Sequence, residues 1–552
     1  MAETKTKKMP QEPSLWWKEA VFYQIYPRSF CDSNGDGIGD IPGIISKLNY
    51  LQDLGIDAIW LSPVYKSPNR DYGYDIEDYY DINPEYGTLE DMKKLFHEAK
   101  KRNIRIIMDL IINHTSDQHP WFQMSRNPRS RYRDFYIWRD GKKDFLGHVE
   151  PPNNWTSFFT GPAWTRDPKS GQYYLHIFTK QQTDLNYQNP KVINEIKKVM
   201  NYWLDMGAAG FRYDAIDNIY KESFAGGRWR WSARGMERYS LKHGFYEILR
   251  ELHHDVLAPR KAFSVGETNR VMFDLDAANH LTAGDALDLV FAFDHMLRRT
   301  QFTPERMKQA LIKWQRGLPW NALFFENHDS ARVVSKYGSD GAFRVESAKM
   351  FATLLLTLEG TPFIYQGQEI GMTNMPFSSI KQTKDIVGHN VYQMLLRYRI
   401  PKKLAVRIAV NFSRDHVRTP MQWDDMPNAR LLSGRSWLPI NPNYKQINVA
   451  RDAAEPNSIG NYYRSLIALR RRERALRLGD IRLISTKQTD VLIYERRSGK
   501  DIFLVIVNMG GKTRDTRLEA KNTTTLLSNY SRRYYHGDIK LMPYEAAVLR
   551  LN

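Results

Sequence analysis

Eight short apolar runs recur along most of the chain, and this repetition constrains the fold more than any other feature. A loop and then a segment with helical spacing of apolar residues follow most of the runs, as in 89–103 and 189–207. The runs are VFYQIYP (21–27), AIWLSPV (58–64), IRIIMDLII (104–112), GFRYDAI (210–216), AFSVGE (262–267), DLVFAF (288–293), NALFFEN (321–327) and TPFIYQG (361–367). Strands that are buried on both faces are continuous apolar runs. Eight of them alternating with helices predict an α/β fold, a closed (β/α)8 TIM barrel.

The spacing between the third and fourth runs predicts an inserted domain. This stretch (114–182) is rich in aromatics, Pro and Gly and shows little helical periodicity, and an unstructured loop of that length is uncommon. Beyond residue 478, short alternating runs separated by turn residues predict an antiparallel β domain. We therefore expect a flexible tail (1–13), a barrel (14–113 and 183–477), an insertion domain B (114–182) and a C-terminal β domain (478–552).

The chain is strongly basic, with 80 Lys and Arg against 62 Asp and Glu and a formal charge of +18. Such an excess suits a polyanionic partner, because cations that neutralise phosphates release counterions. The basic residues do not lie in a recognisable nucleic-acid module. A solvated basic surface, with no nucleic-acid partner, is therefore the favoured interpretation.

Cysteine and hydropathy restrict the class of protein further. Cys31 is the single cysteine, which excludes an intramolecular disulfide and a Cys-based zinc cluster. The longest apolar stretches are far shorter than the roughly 20 residues of a membrane-spanning helix, and no signal peptide is visible. We expect a soluble, cytoplasmic protein, a monomer or weak homo-oligomer, with no membrane partner.

Polar residues gather where several predicted strands end, which in such barrels is the face that holds the active site. They are Asp109 and Asn113-His114 after the third run, Arg212 and Asp214 in the fourth, Glu267 at the end of the fifth and His328-Asp329 after the seventh. Carboxylates beside Arg and His suit glycoside cleavage, which needs one ionised nucleophile and one protonated acid. A lone Asp or Glu at a strand end is more often a helix cap. Capping, however, requires neither an Arg two residues before Asp214 nor a His before Asp329.

Four segments, in order and on the expected strands, resemble the signature segments of a known family. They are DLIINHTS (109–116), GFRYDAI (210–216), FSVGE (263–267) and FFENHD (324–329). The chain is similar over nearly its whole length to the alpha-amylase family of glycoside hydrolases. Further motifs resemble the oligo-1,6-glucosidase and alpha-glucosidase branch: DSNGDGIGD (32–40), DYGYD (71–75), QTDLN (182–186), GTPFIYQGQEIGMTN (360–374) and RTPMQW (418–423).

The resemblance implies a role for each carboxylate. Asp214 would be the nucleophile, Glu267 the general acid/base and Asp329 the transition-state stabiliser. We expect Arg212 to lower the pKa of Asp214 and keep it ionised, and the apolar strand before Glu267 to raise the pKa of that residue. The resemblance also places the following residues around the terminal glucose and its neighbour: Asp71, Tyr74, His114, Arg212, Ala215, His328 and Arg418.

The segment DSNGDGIGD has oxygen-bearing side chains at alternating positions, as in the early half of a calcium loop. The bidentate Glu of an EF-hand is absent, and an ordinary Asx turn is the alternative. Because the family carries a structural Ca²⁺ or Mg²⁺ here, the metal is favoured. The expected ligands are Asp32, Asn34, Asp36, the carbonyl of Ile38, and Asp40.

The leading hypothesis is an exo-acting, retaining α-glucosidase that hydrolyses isomaltose, maltose or sucrose. The alternatives are a sucrose isomerase or transglucosylase, and a trehalose-6-phosphate hydrolase. A non-enzymatic transporter ectodomain fits poorly, because the carboxylate set is complete and no spanning helix is present. Three departures from the family pattern concern linkage preference: Thr183, Ser330-Ala331 and a short segment at 293–302. In the resembling branch, a small residue such as Ala215 after the nucleophile is associated with acceptance of α-1,4 bonds, and Val with α-1,6 preference.

Overall fold

The computed structural model of the chain describes residues 15–229, 233–268, 274–283, 285–292, 303–426, 436–520 and 522–552. Two predictions concern the tail at 1–13 and the short segment at 293–302, and both lie outside the described residues.

All eight apolar runs contain a strand of one parallel sheet. The strands are β1 (Phe22–Ile25), β2 (Ala58–Leu61), β3 (Arg105–Ile111), β4 (Gly210–Asp214), β5 (Phe263–Glu267), β6 (Leu289–Phe291), β7 (Ala322–Leu323) and β8 (Thr361–Tyr365). Their order in the sheet is β6-β5-β4-β3-β2-β1-β8-β7, a nearly closed barrel. Phe22 of β1 lies beside Ala58 of β2 on one side and Phe363 of β8 on the other. The predicted TIM-barrel fold class is confirmed.

A helix follows each strand and packs outside the sheet. These helices are Leu48–Leu54, Leu89–Lys101, Pro190–Met206, His243–Leu252, Leu275–Thr282, Pro304–Gly317, Arg344–Thr357 and Ile459–Arg472. Thr88 begins the second helix with a capping box shared with Asp91, and Asn189 caps the third. Both helices expected from sequence periodicity are thereby confirmed, with Gly207 ending the second of them in a positive-φ conformation.

Side-chain alternation divides the barrel interior into an apolar and a polar half. The rings of Phe22, Phe263 and Phe363 meet at its amino-terminal end, with centroids 4.6 to 5.1 Å apart from that of Phe22. Residues two or four positions further along a strand point to the same interior. Glu267 therefore lies on the interior face of β5, four residues beyond Phe263, at the carboxyl end of the barrel.

The insertion after β3 and the C-terminal region contain antiparallel strands. In the insertion, His114–Ser116 pairs with Gln182–Asp184, Trp138–Arg139 and Trp164–Arg166 both pair with Tyr173–Leu175, and Lys142–Lys143 pairs with Val149–Glu150. The C-terminal five-stranded sheet contains Asp480–Ile484, Val491–Ser498, Asp501–Asn508, Ala546–Leu551 and Thr523–Ser528. A two-stranded sheet, Arg514–Leu518 with Gly537–Leu541, accompanies it. The domain limits given above stay a prediction.

One element had no counterpart among the sequence predictions. Helices Ile386–Arg397 and Lys402–Phe412, between β8 and the last barrel helix, pack against each other and share an apolar cluster that includes Val391, Ala405 and Ala409. We call this pair, residues 386–412, the helical hairpin.

No helix among the described residues has the length and apolar character needed to cross a bilayer.

Candidate active site

Three neighbouring strands meet at one guanidinium group. Arg212 of β4 contacts Asp109 of β3 at 2.7 Å, Asp214 of its own strand at 2.8 Å, and Glu267 at the end of β5. Arg212 and Asp214 point to the same face because they are two residues apart on a strand. We call these four residues the Arg212 cluster.

Exposure separates the members of this cluster. The side chains of Arg212 and Asp109 are 1% and 0% exposed, whereas those of Asp214 and Glu267 are 12% and 19% exposed. Asp109 and Arg212 are therefore the buried part of the cluster. Its other two side chains, those of Asp214 and Glu267, are the ones that reach the pocket.

Burial raises the pKa of all three carboxyl groups in the Arg212 cluster. The pKa of Asp214 rises to about 6, because desolvation outweighs the attraction of Arg212. The pKa of Asp109 also rises to about 6, because desolvation again outweighs the attraction of Arg212. Burial raises the pKa of Glu267 to about 8, again against Arg212 and with the nearby charge of Asp214 adding to the rise. The predicted lowering of the Asp214 pKa is wrong in direction, and the predicted rise for Glu267 is confirmed.

A second cluster lies across the pocket. Asp329 pairs with Arg418 at 2.5 Å and with Arg414 at 3.3 Å. Arg414 also contacts Asp71 at 2.9 Å and Asp385 at 2.7 Å. We call these five residues the Arg414 cluster. The Asp329 side chain is 30% exposed and faces the pocket.

In the Arg414 cluster the attraction of the guanidinium groups outweighs burial, which is the reverse of the balance in the Arg212 cluster. Burial alone would raise the pKa of Asp329, but the guanidinium groups of Arg414 and Arg418 hold it well below its ordinary value. The pKa of Asp385 is lowered in the same way by Arg414 and Arg418, against its burial. Both carboxylates are therefore ionised at neutral pH.

His328 and Tyr74 connect the two clusters. The Tyr74 hydroxyl lies 2.7 Å from Nε2 of His328 and donates to Asp109 at 3.1 Å, and the two rings stack with centroids 5.3 Å apart. Nδ1 of His328 is 2.8 Å from Nε2 of Gln24, an amide donor, which places the acceptor nitrogen there. Burial lowers the pKa of His328 to about 3, so the ring is neutral.

The wall of the pocket toward the insertion is formed by Asp71, Tyr74, His114 and Gln182. Nε2 of His114 lies 2.9 Å from the carbonyl oxygen of Tyr74, to which Gln182 also donates at 3.1 Å. Gln182 donates to Asp71 at 3.3 Å as well. The ladder between His114–Ser116 and Gln182–Asp184 holds this wall in register. Every predicted catalytic carboxylate and substrate-binding residue thus lies in or beside one connected network.

With this geometry established, the comparisons with known proteins decide the family. Residues 24–479 match the alpha amylase catalytic domain. The chain belongs to the alpha-amylase family. It is accordingly a glycoside hydrolase, and its three pocket-facing carboxylates lie at the carboxyl ends of β4 and β5 and in the loop after β7.

Relatives of several activities resemble this family member over their whole length. It is 44% identical to an oligo-1,6-glucosidase from Parageobacillus thermoglucosidasius, with 97% of this chain and 99% of the relative covered. A trehalose-6-phosphate hydrolase from Bacillus subtilis is 39% identical, with 98% and 99% covered. The crystal structure of isomaltulose synthase from Klebsiella sp. LX3 has a TM-score of 0.91 and 40% identity, with 98% and 100% covered.

Sequence reasoning missed Arg414 and Gln182. Arg414 lies four residues before Arg418, in the same basic and polar segment, and that spacing was the available signal. Its partners Asp71 and Asp329 are 343 and 85 residues away. Gln182 was quoted within a motif, but its contact with Asp71 spans 111 residues.

Two residues expected to influence linkage preference differ in their surroundings. Ala215 follows Asp214 in the left-handed region, with φ 46° and ψ 40°, and is buried. Thr183 is fully buried, and its hydroxyl donates to the carbonyl of Thr115 at 3.2 Å. Thr183 is therefore held inside the ladder with His114–Ser116, and its influence on linkage preference stays a prediction.

The predicted metal loop forms a series of tight turns. Asp32 accepts backbone N–H groups from Asn34, Gly35 and Gly37 at 2.6 to 3.1 Å. Asp40 caps the helix Ile41–Ser46. The candidate donors are all oxygen atoms, which suit Ca²⁺ or Mg²⁺. Within the described ranges, no group of three or more His, Cys, Asp or Glu side chains is arranged to hold a metal. The donor chemistry fits a hard cation and the hydrogen bonds fit a plain turn, so the metal stays a prediction.

Proposed function

We propose that the protein is an exo-acting α-glucosidase that hydrolyses the terminal α-glucosidic bond of short oligosaccharides with retention of configuration. The observation that carries the proposal is the pair Asp214 and Glu267, two pocket-facing carboxyl groups on one guanidinium with pKa values near 6 and 8. At neutral pH the first is mostly ionised and the second mostly protonated. A nucleophile and a general acid need these two states.

In the first step, Asp214 attacks the anomeric carbon while Glu267 gives its proton to the departing glycosidic oxygen. A glucosyl ester on Asp214 and a free alcohol result. In the second step, Glu267, now a carboxylate, takes a proton from water, the water oxygen attacks the same carbon, and Asp214 leaves. The close placement of the two carboxyl groups supports this double displacement, because single displacement needs room for a water between them. Ionised Asp329 would stabilise the positive charge that develops on the sugar.

Burial at the inner end of the network supports the exo-action. Gln24, Tyr74 and His328 are buried there, and Asp71, His114 and the arginines would supply hydrogen bonds for the hydroxyls of one terminal glucose. Tyr74 offers a ring face beside them. A site closed at this end would admit a chain end and exclude the middle of a glucan.

The stereochemistry of the first product tests this proposal. Proton NMR during hydrolysis of an aryl α-glucoside, which releases a single glucose, should show α-glucose forming first and converting slowly to the β-anomer. If β-glucose forms first, the covalent intermediate on Asp214 is excluded.

Product analysis separates the proposal from its alternatives. Isomaltose, maltose, sucrose and trehalose-6-phosphate are offered separately, and glucose as the main product from the first two supports an α-glucosidase. Isomaltulose or trehalulose from sucrose would indicate an isomerase, since the glucosyl group would pass to fructose instead of water. Selective cleavage of trehalose-6-phosphate would indicate a hydrolase of phosphorylated sugar.

The predicted cation at Asp32, Asn34, Asp36, Ile38 and Asp40 has its own test. If Ca²⁺ or Mg²⁺ binds the native loop, removing it lowers stability by mass action. Excess chelator should lower the melting temperature by a few degrees and leave KM nearly unchanged, and added Ca²⁺ should restore it. A matched Asp36→Asn variant should lose this response, whereas an unchanged melting temperature in both proteins favours the plain turn.

A further inference from the structure

The helical hairpin carries a concentration of positive charge that the glycosidase site does not use. Between Asp385 and Asp415 the sequence contains no Asp or Glu. Five cationic residues in this stretch lie outside the active site, and all five are exposed: Arg397, Arg399, Lys402, Lys403 and Arg407. In the part of the chain that the structure describes, none of these five makes an ion pair.

An apolar stripe runs beside these cations on the outer face of the second helix. Leu404, Ile408 and Phe412 are spaced by four residues and therefore lie on one face. Leu404 and Phe412 are 45% and 56% exposed, and Ile408 is partly exposed. An adjoining face, with Ala405 and Ala409, packs in the apolar cluster of the hairpin, and Ile408 partly contacts that cluster too. Leu404 and Phe412 are the uncovered apolar side chains of the stripe.

The start of this helix retains cations where helix electrostatics disfavours them. Lys402 and Lys403 are its first two residues, and its first turn contains no acidic side chain. Negative charge is the stabilising choice at a helix N-terminus. Two lysines there suit a negatively charged partner better than they suit the stability of the isolated helix.

The hairpin is anchored to the rest of the protein at its base. Its base is held by the ion pair between Asp385 and Arg414, and Asn390 donates to the carbonyl of Phe159 at 2.8 Å. The first helix has 12 residues, which at 1.5 Å per residue places the tip about 18 Å from the base. The cations at 397–403 therefore lie at the tip, at the far end of the hairpin from Arg414.

We propose that the helical hairpin is a docking surface for an anionic lipid bilayer. Anionic headgroups supply charge opposite to the five cations, and the interface below them accepts the apolar stripe of Leu404, Ile408 and Phe412. A nucleic acid would satisfy the cations equally well. It would leave the two aliphatic side chains of the stripe without a matching surface, because bases stack on aromatic rings or guanidinium planes.

Vesicle co-sedimentation tests the proposal on the full-length protein. Large vesicles containing about 30% phosphatidylserine in phosphatidylcholine are compared with phosphatidylcholine alone. The wild type should sediment with the anionic vesicles only, and less at high salt. Lys402→Gln/Lys403→Gln should weaken binding about 25-fold, from about fivefold for each cation removed. Leu404→Ser/Phe412→Ser should also weaken it, with unchanged melting temperature.

A matched pair of lysines controls for net charge. Lys142 and Lys143 form an exposed strand of the insertion, and Lys142→Gln/Lys143→Gln removes the same charge elsewhere. This variant should bind vesicles like the wild type. If it loses binding as much as the hairpin variant, only net charge matters and the proposed surface is wrong. Absence of vesicle binding by the wild type also overturns the proposal. Tighter binding to a poly(U) probe than to anionic vesicles would also overturn it, if the Leu404→Ser/Phe412→Ser variant binds that probe as well as the wild type does. That result would indicate a nucleic-acid site.

Discussion

The two charge clusters of the pocket contain the same residue types, but the pKa values of their carboxyl groups are shifted in opposite directions. In the Arg212 cluster, one guanidinium serves three carboxyl groups, and burial raises all three pKa values. In the Arg414 cluster, two guanidiniums serve three carboxylates, and the pKa values of Asp329 and Asp385 are lowered. The number of buried cations per carboxylate therefore decides which side of the pocket can hold a proton. The side that is short of cations is the one suited to acid catalysis.

The most severe test of this comparison is to remove the proposed nucleophile from the Arg212 cluster. Asp214→Asn should lower kcat roughly 10⁴-fold or more, because the amide cannot form the glucosyl ester. Steady-state kinetics with isomaltose measure the loss, and circular dichroism checks the fold.

Asp109→Asn is the matched control, since it changes the same group on the same guanidinium. Its side chain is fully buried, so it should lose much less activity than Asp214→Asn. Equal losses in the two variants would mean that Arg212 needs both charges and that Asp214 has no special role.

The proton on Glu267 can be tested through pH dependence. With Asp214 required ionised and Glu267 required protonated, kcat/KM should rise through a pH of about 6 and fall through a pH of about 8. Glu267→Gln should lose about 10²- to 10⁴-fold on isomaltose and should lack the alkaline fall. On an aryl glucoside with a good leaving group, the loss in the glucosylation step should be smaller. An alkaline limb that persists in Glu267→Gln would assign it to another residue.

The opposite cluster can be weakened by removing one of its two guanidiniums. Arg414→Met leaves Asp71, Asp329 and Asp385 with Arg418 alone. Truncating one partner of a buried, hydrogen-bonded charge pair costs about 2–5 kcal/mol. The melting temperature and kcat/KM should therefore both fall.

Arg414→Lys is the conservative counterpart. It should recover part of the stability, since the charge returns, but little of kcat/KM, because an ammonium cannot contact three carboxylates as a planar fork does. Wild-type kinetics in both variants would show that Arg418 alone sets the state of Asp329.

The strands and the three carboxylates were predictable from sequence because each is indicated by residues that are close together in the chain. A buried strand is a continuous apolar run, and Asp214 and Glu267 end such runs. Arg414 was not predictable in the same way, because its contacts join residues 85 and 343 positions away. The helical hairpin was also missed, since it lies outside the repeating strand and helix pattern.

The wrong expectation for Asp214 has a related cause. The sequence shows Arg212 two residues away, but it does not show that Arg212 is shared with Asp109 and Glu267. Nor does it show that all four groups are buried together. The sequence indicated the attraction between Arg212 and Asp214, but it did not indicate the larger cost of removing the Asp214 carboxylate from water.

The smallest expected effect concerns linkage preference and compares the residues that follow Asp214 and Asp329. Ala215→Val adds two methyl groups beside the nucleophile, at a positive φ where a β-branched residue is strained. It should shift the ratio of isomaltose to maltose hydrolysis toward isomaltose by about tenfold, the lower end of what an apolar contact contributes. The melting temperature should fall slightly. Ser330→Val makes the matching change after Asp329, and we expect it to leave the ratio unchanged. If Ser330→Val moves the ratio and Ala215→Val does not, the Arg414 side of the pocket selects the linkage and the proposed role of Ala215 is wrong.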